Sequence, residues 1–236
     1  MMIRLQKFLS QSGVCSRRRG EICILEGRVF VNGEKVLQPG ISIDPLKDTV
    51  TVDGRPVTHT PDRDHIYIAL NKPRGFVSSC AHPGEKIVLD LVAIDRRVYP
   101  VGRLDKDSTG LLLLTDDGDL HNLLSHPSHD HEKEYVVHTV RPVSDRALQD
   151  MARGIVLDGR KTRQAVVKRL AENSFSIVLK QGINRQIRRM VEECKNRVKY
   201  LKRIRMGSVI LGNLPEGKWR YLSREEVERL CAGSKD

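Results

Sequence analysis

The side chains with most chemistry to offer lie between Tyr99 and His121. Asp105 sits in a charged loop, Arg103 to Gly110, with Arg103 and Lys106 close on either side. A short apolar approach precedes the loop, and Leu111-Leu112-Leu113-Leu114 follows it. A carboxylate placed there can act as a nucleophile or as a base. Both roles need it ionised, as an aspartate of ordinary pKa ~3.9 is at neutral pH. A second chemistry is metal-dependent phosphodiester hydrolysis, drawing on Asp105, Asp107, Asp116, Asp117 and the histidines of Ser125-His126-Pro127-Ser128-His129-Asp130-His131. Against it, Arg103 and Lys106 crowd the would-be ligands and compete with a divalent ion. The histidines also lack the separation of paired ligands on a regular element. No metal is expected.

The elements that must hold Asp105 can be read in outline. Residues 99–121 give strand, polar loop, buried strand, turn and helix, and loops held by rigid apolar elements are common places for chemistry. Ahead of them, Leu5, Phe8 and Leu9 recur at helical spacing. Ser16 can cap a second helix, Arg17 to Glu26, that Gly27 ends. Val29-Phe30-Val31 reads as a strand turning at Asn32-Gly33, and Thr49 to Val52 as a strand turning at Asp53-Gly54. The polar stretch Thr58 to His65 is the candidate linker, dividing the chain at residues 1–60 and 61–236. Beyond it, Ile66–Leu70 reads as a strand that Pro73 stops. Lys133–Val140, Arg163–Leu170 and Phe175–Leu179 are further strands, and Ser144 caps a helix over Asp145–Met151. Ile187, Met190, Val191 and Cys194 mark one face of a helix, with Arg188 and Arg189 toward the edges of that stripe. Ser223 and Glu226 form a capping box for a last helix.

Charge narrows the partner. The net charge is +11. From Arg185 to Arg205 there are nine basic residues and two acidic ones, a local charge of +7. Such clustering is the footprint of a phosphate backbone. Arg17, Arg18 and Arg19 open the second helix, where they are either a solvated helix end or a phosphate contact. Aromatic residues are only 4%, with one tryptophan, which argues against a multi-base stacking platform. No apolar run approaches the ~20 residues of a membrane span, and the N-terminus lacks the apolar core of a signal peptide. Five cysteines without a CxxC spacing suggest neither a disulfide framework nor a zinc site. A cytoplasmic, monomeric protein is expected.

Three motifs resemble those of a known family. They are Gly102-Arg103-Leu104-Asp105 with Gly110-Leu111-Leu112-Leu113-Leu114-Thr115; Lys133-Glu134-Tyr135; and Asn184-Arg185-Gln186-Ile187-Arg188-Arg189-Met190. Together they resemble the bacterial RNA pseudouridine synthases of the RsuA-like group. Asp105-Lys106-Asp107-Ser108 and His129-Asp130-His131-Glu132-Lys133-Glu134-Tyr135 are most similar to its RluF branch. Residues 4–9, 13–18 and 27–33 resemble the alpha-L RNA-binding module of a small-subunit ribosomal protein. The resemblance implies an α+β fold: a small N-terminal alpha-L module, then a catalytic domain whose mixed, mainly antiparallel central sheet is flanked by helices. It implies isomerisation of a uridine to pseudouridine in large-subunit ribosomal RNA, with tRNA as a further substrate, and no cofactor. It implies that Asp105 acts on the ribose, that Arg188 is its cation partner and that Tyr135 stacks on the flipped uracil. Arg103, Asn184, Arg185, Gln186 and Arg189, with Lys7, Arg17, Arg18 and Arg19 of the module, are implied to contact RNA. Extracting a base from its stack costs a few kcal/mol, and phosphate contacts can supply that energy.

Overall fold

A computed structural model describes residues 2–58, 64–125 and 130–232. The chain divides into two compact units. One runs to His65 and includes Asp95–Arg97; the other is Ile66–Ile94 with Val98–Asp236. The candidate linker positions 59–63 and the histidine positions 126 and 129 lie outside the described residues.

In the first unit, strand β1 (Ile3–Arg4) leads into helix α1 (Leu5–Gln11) and then helix α2 (Arg17–Leu25). Strands β2 (Val29–Val31), β3 (Glu34–Val36), β4 (Ser42–Ile43), β5 (Val50–Val52) and β6 (Arg55–Pro56) follow. β2, β3, β5 and β6 form one small sheet, and β1 pairs with β4. Leu5, Phe8 and Leu9 of α1 pack with Cys23 and Ile24 of α2 over Val29 and Val50. Ser16 Oγ accepts the Arg19 backbone N–H at 3.1 Å, the N-cap read from sequence. Asn32 (φ 53°) and Gly33 (φ 83°) both take the left-handed conformation that a two-residue hairpin turn requires. Arg17, Arg18 and Arg19 are exposed.

The second unit is built on one mixed sheet, with nine strands among the described residues. Its strands are β7 (Tyr67–Lys72), β8 (Tyr99–Pro100), β9 (Thr109–Thr115), β10 (Lys133–Thr139), β13 (Val166–Ala171), β14 (Ser174–Leu179), β15 (Val198–Met206), β16 (Val209–Ile210) and β17 (Trp219–Tyr221). A separate hairpin pairs β11 (Val156–Leu157) with β12 (Arg160–Lys161). The main order is β13-β14-β10-β15-β9-β7-β17, with β8 on β9 and β16 on β15. Every pairing is antiparallel except β15 with β9. Helices α3 (Gly118–Ser125), α4 (Asp145–Arg153), α5 (Gln186–Glu193) and α6 (Arg224–Ala232) complete the unit.

The four leucines of β9 are buried on both faces of the sheet. Leu111 and Leu113 join the core under Leu120, Leu124 and Leu230, while Leu112 and Leu114 join the opposite one with Val88 and Leu104. An unbroken apolar run suits a strand covered on both sides. Helices α4 and α5 cover β10, β14 and β15 through Leu148, Met151, Ile187, Met190 and Val191. The caps at Ser144 and Ser223 form as read: Ser144 Oγ accepts Ala147 N–H at 3.2 Å, and Ser223 and Glu226 exchange bonds of 2.9 and 3.2 Å.

The basic residues of Arg185–Arg205 divide between buried and exposed positions. Arg188 and Arg203 are buried, at 8% and 1% exposure. Arg189 pairs with Asp158 at 2.6 Å, and Arg205 pairs with Glu132 and Glu134 at 3.0 and 2.9 Å. Lys195, Arg197, Lys199 and Lys202 remain exposed. Strand alternation and helix docking turn basic side chains inward at positions that a charge count treats alike.

Candidate active site

Asp105 lies in the loop between β8 and β9, and several groups pin that loop through its backbone. Lys72, fully buried at the end of β7, donates from Nζ to Ser108 O at 2.8 Å and to Pro73 O at 3.0 Å. Ser78 Oγ donates to Leu104 O at 2.8 Å and accepts from Leu104 N at 3.1 Å. Gly75 N donates to Lys106 O, and Ser108 N to Asp105 O, at 2.8 and 3.0 Å. Buried backbone carbonyls need donors, and these supply them, so the carboxylate of Asp105 stands on a rigid base. The side chain itself is 33% exposed.

Lys72 shows the cost of this arrangement. Burial lowers its pKa to about 8 from an ordinary 10.5, against the raising influence of Asp105 and Asp107. The unfolded chain keeps this proton up to about 10.5, whereas the folded chain sheds it near 8. The unfolded state therefore binds more protons in that window, and this group makes stability rise with pH across it; below 8 its burial penalty is fully present. Urea midpoints measured from pH 7.5 to 10.5 are expected to show this rise in the wild type and not in Lys72→Met. Parallel pH profiles for the two proteins would remove this assignment.

A cleft of about 510 Å³ opens beside the loop. It gathers Arg103 and Asp105 from the loop, Lys133 and Tyr135 from β10, Asn184, Arg185 and Gln186 from the approach to α5, and Leu201 and Arg203 from β15. Pockets of this size are usual for small ligands. Of the predicted site residues, Asp105, Tyr135, Arg103, Asn184, Arg185 and Gln186 come together here. Arg189 does not line it, being held by Asp158. Lys7, Arg17, Arg18 and Arg19 belong to the first unit.

The cation nearest Asp105 is not the one implied by resemblance. Arg185 Nη1 lies 3.9 Å from Asp105 Oδ2. Arg188 instead reaches the loop backbone, donating from Nη2 to Asp107 O at 3.2 Å and to Ser108 Oγ at 3.3 Å. Its Nε is buried without a partner. Burial and the Arg185 charge lower the Arg188 pKa, while Asp105 and Asp107 raise it, so its field still acts on both carboxylates. Arg185 adopts a left-handed backbone (φ 50°) at the N-cap of α5. That conformation is uncommon for a side chain of this size and places the residue at the mouth of the cleft. Gln186 uses its Oε1 to accept Ile183 N–H at 3.3 Å, which ties down the same turn.

Lys72, Ser78, Lys133 and Arg203 are the site residues that the motifs alone did not assign. Arg203 sits directly across from Tyr135 in the β10–β15 register. Its signal in sequence is faint: a basic residue on the inward phase of a strand, indistinguishable there from Lys202 and Arg205. Asp116 and Asp117 serve structure. Asp116 Oδ1 accepts Ile66 N–H, and Asp117 Oδ1 accepts the Asp119 and Leu120 N–H groups at the start of α3, all at 2.9–3.0 Å. Among the described residues no three His, Cys, Asp or Glu side chains converge as a metal site would need.

Comparison with known proteins gives the family. Residues 66–193 match the family model described as RNA pseudouridylate synthase, and residues 3–45 match the S4 domain. The dual-specificity RNA pseudouridine synthase RluF of Escherichia coli O6:H1 is 42% identical over 225 residues, covering 95% of this chain and 77% of that protein. The ribosomal large subunit pseudouridine synthase B of Bacillus subtilis is 38% identical over 239 residues, covering 98% and 96%. A crystal structure of a pseudouridylate synthase superposes with a TM-score of 0.71 at 30% identity, covering 97% of this chain and 99% of that one. The chain belongs to the RNA pseudouridine synthase family, with an S4 domain ahead of its synthase domain.

Proposed function

We propose that this protein converts specific uridines of large-subunit ribosomal RNA to pseudouridine, acts on a tRNA as well, and works as a monomer in the cytoplasm. The observation that carries the reading is the meeting of Asp105, Tyr135 and Arg185 in one cleft on a loop pinned from behind. The names of the relatives support the RNA class. A uridine flipped into the cleft stacks on Tyr135 and presents its ribose to Asp105. The carboxylate either attacks C1′ or removes a ribose proton. Arg185 neutralises Asp105 at the mouth, and Arg188 acts through the loop, fixing the Asp107 carbonyl and the Ser108 hydroxyl. Arg103 fills the gap left by the extracted base.

The two units divide the task. Residues 1–60 grip RNA through Lys7, Arg17, Arg18 and Arg19, and residues 61–236 carry the chemistry. Shape and phosphate contacts select the RNA, while the cleft selects the base. The reaction gains no atoms, so it requires no cofactor. Mapping pseudouridine across all cellular RNA, with and without the protein, tests the reading. One or a few large-subunit positions, and a tRNA position, are expected to lose the modification. An unchanged map of ribosomal RNA and tRNA would overturn it.

A further inference from the structure

Two cations in the cleft have no ion-pair partner within 4.0 Å among the described residues. Arg203 donates from Nε to Leu111 O at 2.7 Å, and its buried Nη2 has no hydrogen-bond partner. Lys133 donates from Nζ to His131 O at 3.1 Å. Both line the cleft, and neither forms an ion pair among the described residues. Burial and the Arg203 charge both lower the Lys133 pKa, with Asp130 opposing them, so the two cations feel one another across a poorly solvated space. A buried guanidinium N–H left unpaired is costly. Such a group fits a site whose ligand brings the missing acceptor.

Their placement says which part of the ligand they meet. Tyr135 and Arg203 are paired in register on neighbouring strands, so their Cβ atoms stand about 5 Å apart on one face. Lys133 lies two residues along β10, beyond a register shift between Glu134 and Tyr135, and lines the same cleft as Tyr135. A base stacked on the Tyr135 ring would share its cleft with Arg203 and Lys133.

We propose that Arg203 and Lys133 are catalytic residues that bind the uracil while it is detached from the ribose and carries a negative charge. The inference rests on the isomerase reading above. When the C1′–N1 bond breaks, its electron pair stays with uracil, and the charge spreads over N1, O2 and O4. This holds whether Asp105 forms an ester to C1′ or takes the proton from C2′. The base then turns over within the cleft. An electron pair at C5 forms the C5–C1′ bond, as the ester oxygen departs with its own pair or as the proton returns to C2′. The C5 hydrogen leaves as a proton and N1 gains one, so atoms and electrons balance. A half-turn about the N3–C6 axis exchanges N1 with C5 and O2 with O4. Two donors aimed at the carbonyl oxygens therefore meet the same pattern before and after the turn. They hold the anion in the site without opposing its rotation.

The test compares RNA carrying uridine with RNA carrying 5-fluorouridine at the target position. Fluorine withdraws electrons and makes the base a better leaving anion, so it needs less help. Removing one such donor costs about 10²-fold in rate. Lys133→Gln is expected to slow single-turnover consumption of uridine about 100-fold, and that of 5-fluorouridine about 10-fold or less. RNA affinity should stay within about twofold, and Lys133→Arg should recover most of the rate. Arg203→Lys, with folding checked by circular dichroism, should show the same dependence on substrate; Lys133→Gln decides if that variant does not fold. Equal losses on both RNAs, or a loss confined to affinity as for a grip on phosphate, overturn the assignment. Wild-type pseudouridine formation, measured alongside, separates the two readings. Its presence with equal losses removes this inference alone, and its absence from ribosomal RNA and tRNA removes the isomerase reading too.

Discussion

Asp105→Asn is expected to abolish pseudouridine formation, with a rate loss of at least about 10⁴-fold, while leaving RNA binding within about twofold. Removing the nucleophile or base of a protease triad costs from about 10⁴ to 10⁶ in rate. Asparagine has nearly the same shape, but it is neutral and can neither attack C1′ nor take a proton. The fold should tolerate it, because no hydrogen bond that pins the loop uses the Asp105 carboxylate. Ser78, Lys72 and Arg188 all hold backbone or the Ser108 hydroxyl instead. The lost ion pair with Arg185 is 3.9 Å long and partly exposed, and such pairs contribute at most about 1 kcal/mol. Single-turnover assays with nucleoside analysis of the digested RNA measure the rate, and filter binding measures affinity. Pseudouridine formation by the variant at more than a hundredth of the wild-type rate would remove Asp105 from the centre of the mechanism.

How far the sequence carried the structure differs between local and distant features. Caps and turns were legible, because Ser16, Ser144 and Asn32-Gly33 act on backbone groups two or three residues away. The four leucines announced a strand covered on both faces. The position of Asp105 between apolar elements was legible for the same local reason. Its surroundings were not. Lys72 reaches Ser108 over 36 positions, and Arg188 reaches Asp107 over 81. Helical spacing around Ile187 and Met190 fixes a buried stripe, but it does not say that a loop docks on the edge of that stripe and buries Arg188 as well. The parallel junction of β9 with β15 decides which of three nearby cations on β15, Lys202, Arg203 or Arg205, points into the cleft. No local pattern encodes that junction.

Gly110→Ala tests that junction most directly, and it should be far more damaging than removing a single surface contact. Gly110 has φ +101°, and a Cβ built there would lie 2.2 Å from the carbonyl oxygen of Arg203 and 2.8 Å from its nitrogen. Both are backbone atoms, so no side chain can rotate away to make room. Either β9 and β15 separate at the Arg203–Gly110 pair, or the strand bends out of its register. Forcing an L residue into a left-handed conformation costs roughly 1–2 kcal/mol, and overpacking a close contact adds roughly 1–3 kcal/mol. A loss of about 3 kcal/mol is expected, or about 6–12 °C in Tm for a chain of this size. Activity should fall further than stability explains, because the displaced segment carries Arg203 and holds it opposite Tyr135. Gly159→Ala is the matched comparison: its φ is also positive, at +74°, but nothing lies within 4 Å of the added Cβ. It carries the conformational cost alone, about 1 kcal/mol, with single-turnover rates near wild type. Thermal melts and single-turnover rates taken below both transitions separate strain from contact. If the two variants lose the same stability and keep the same rate, the close approach of β15 to Gly110 does not position the site.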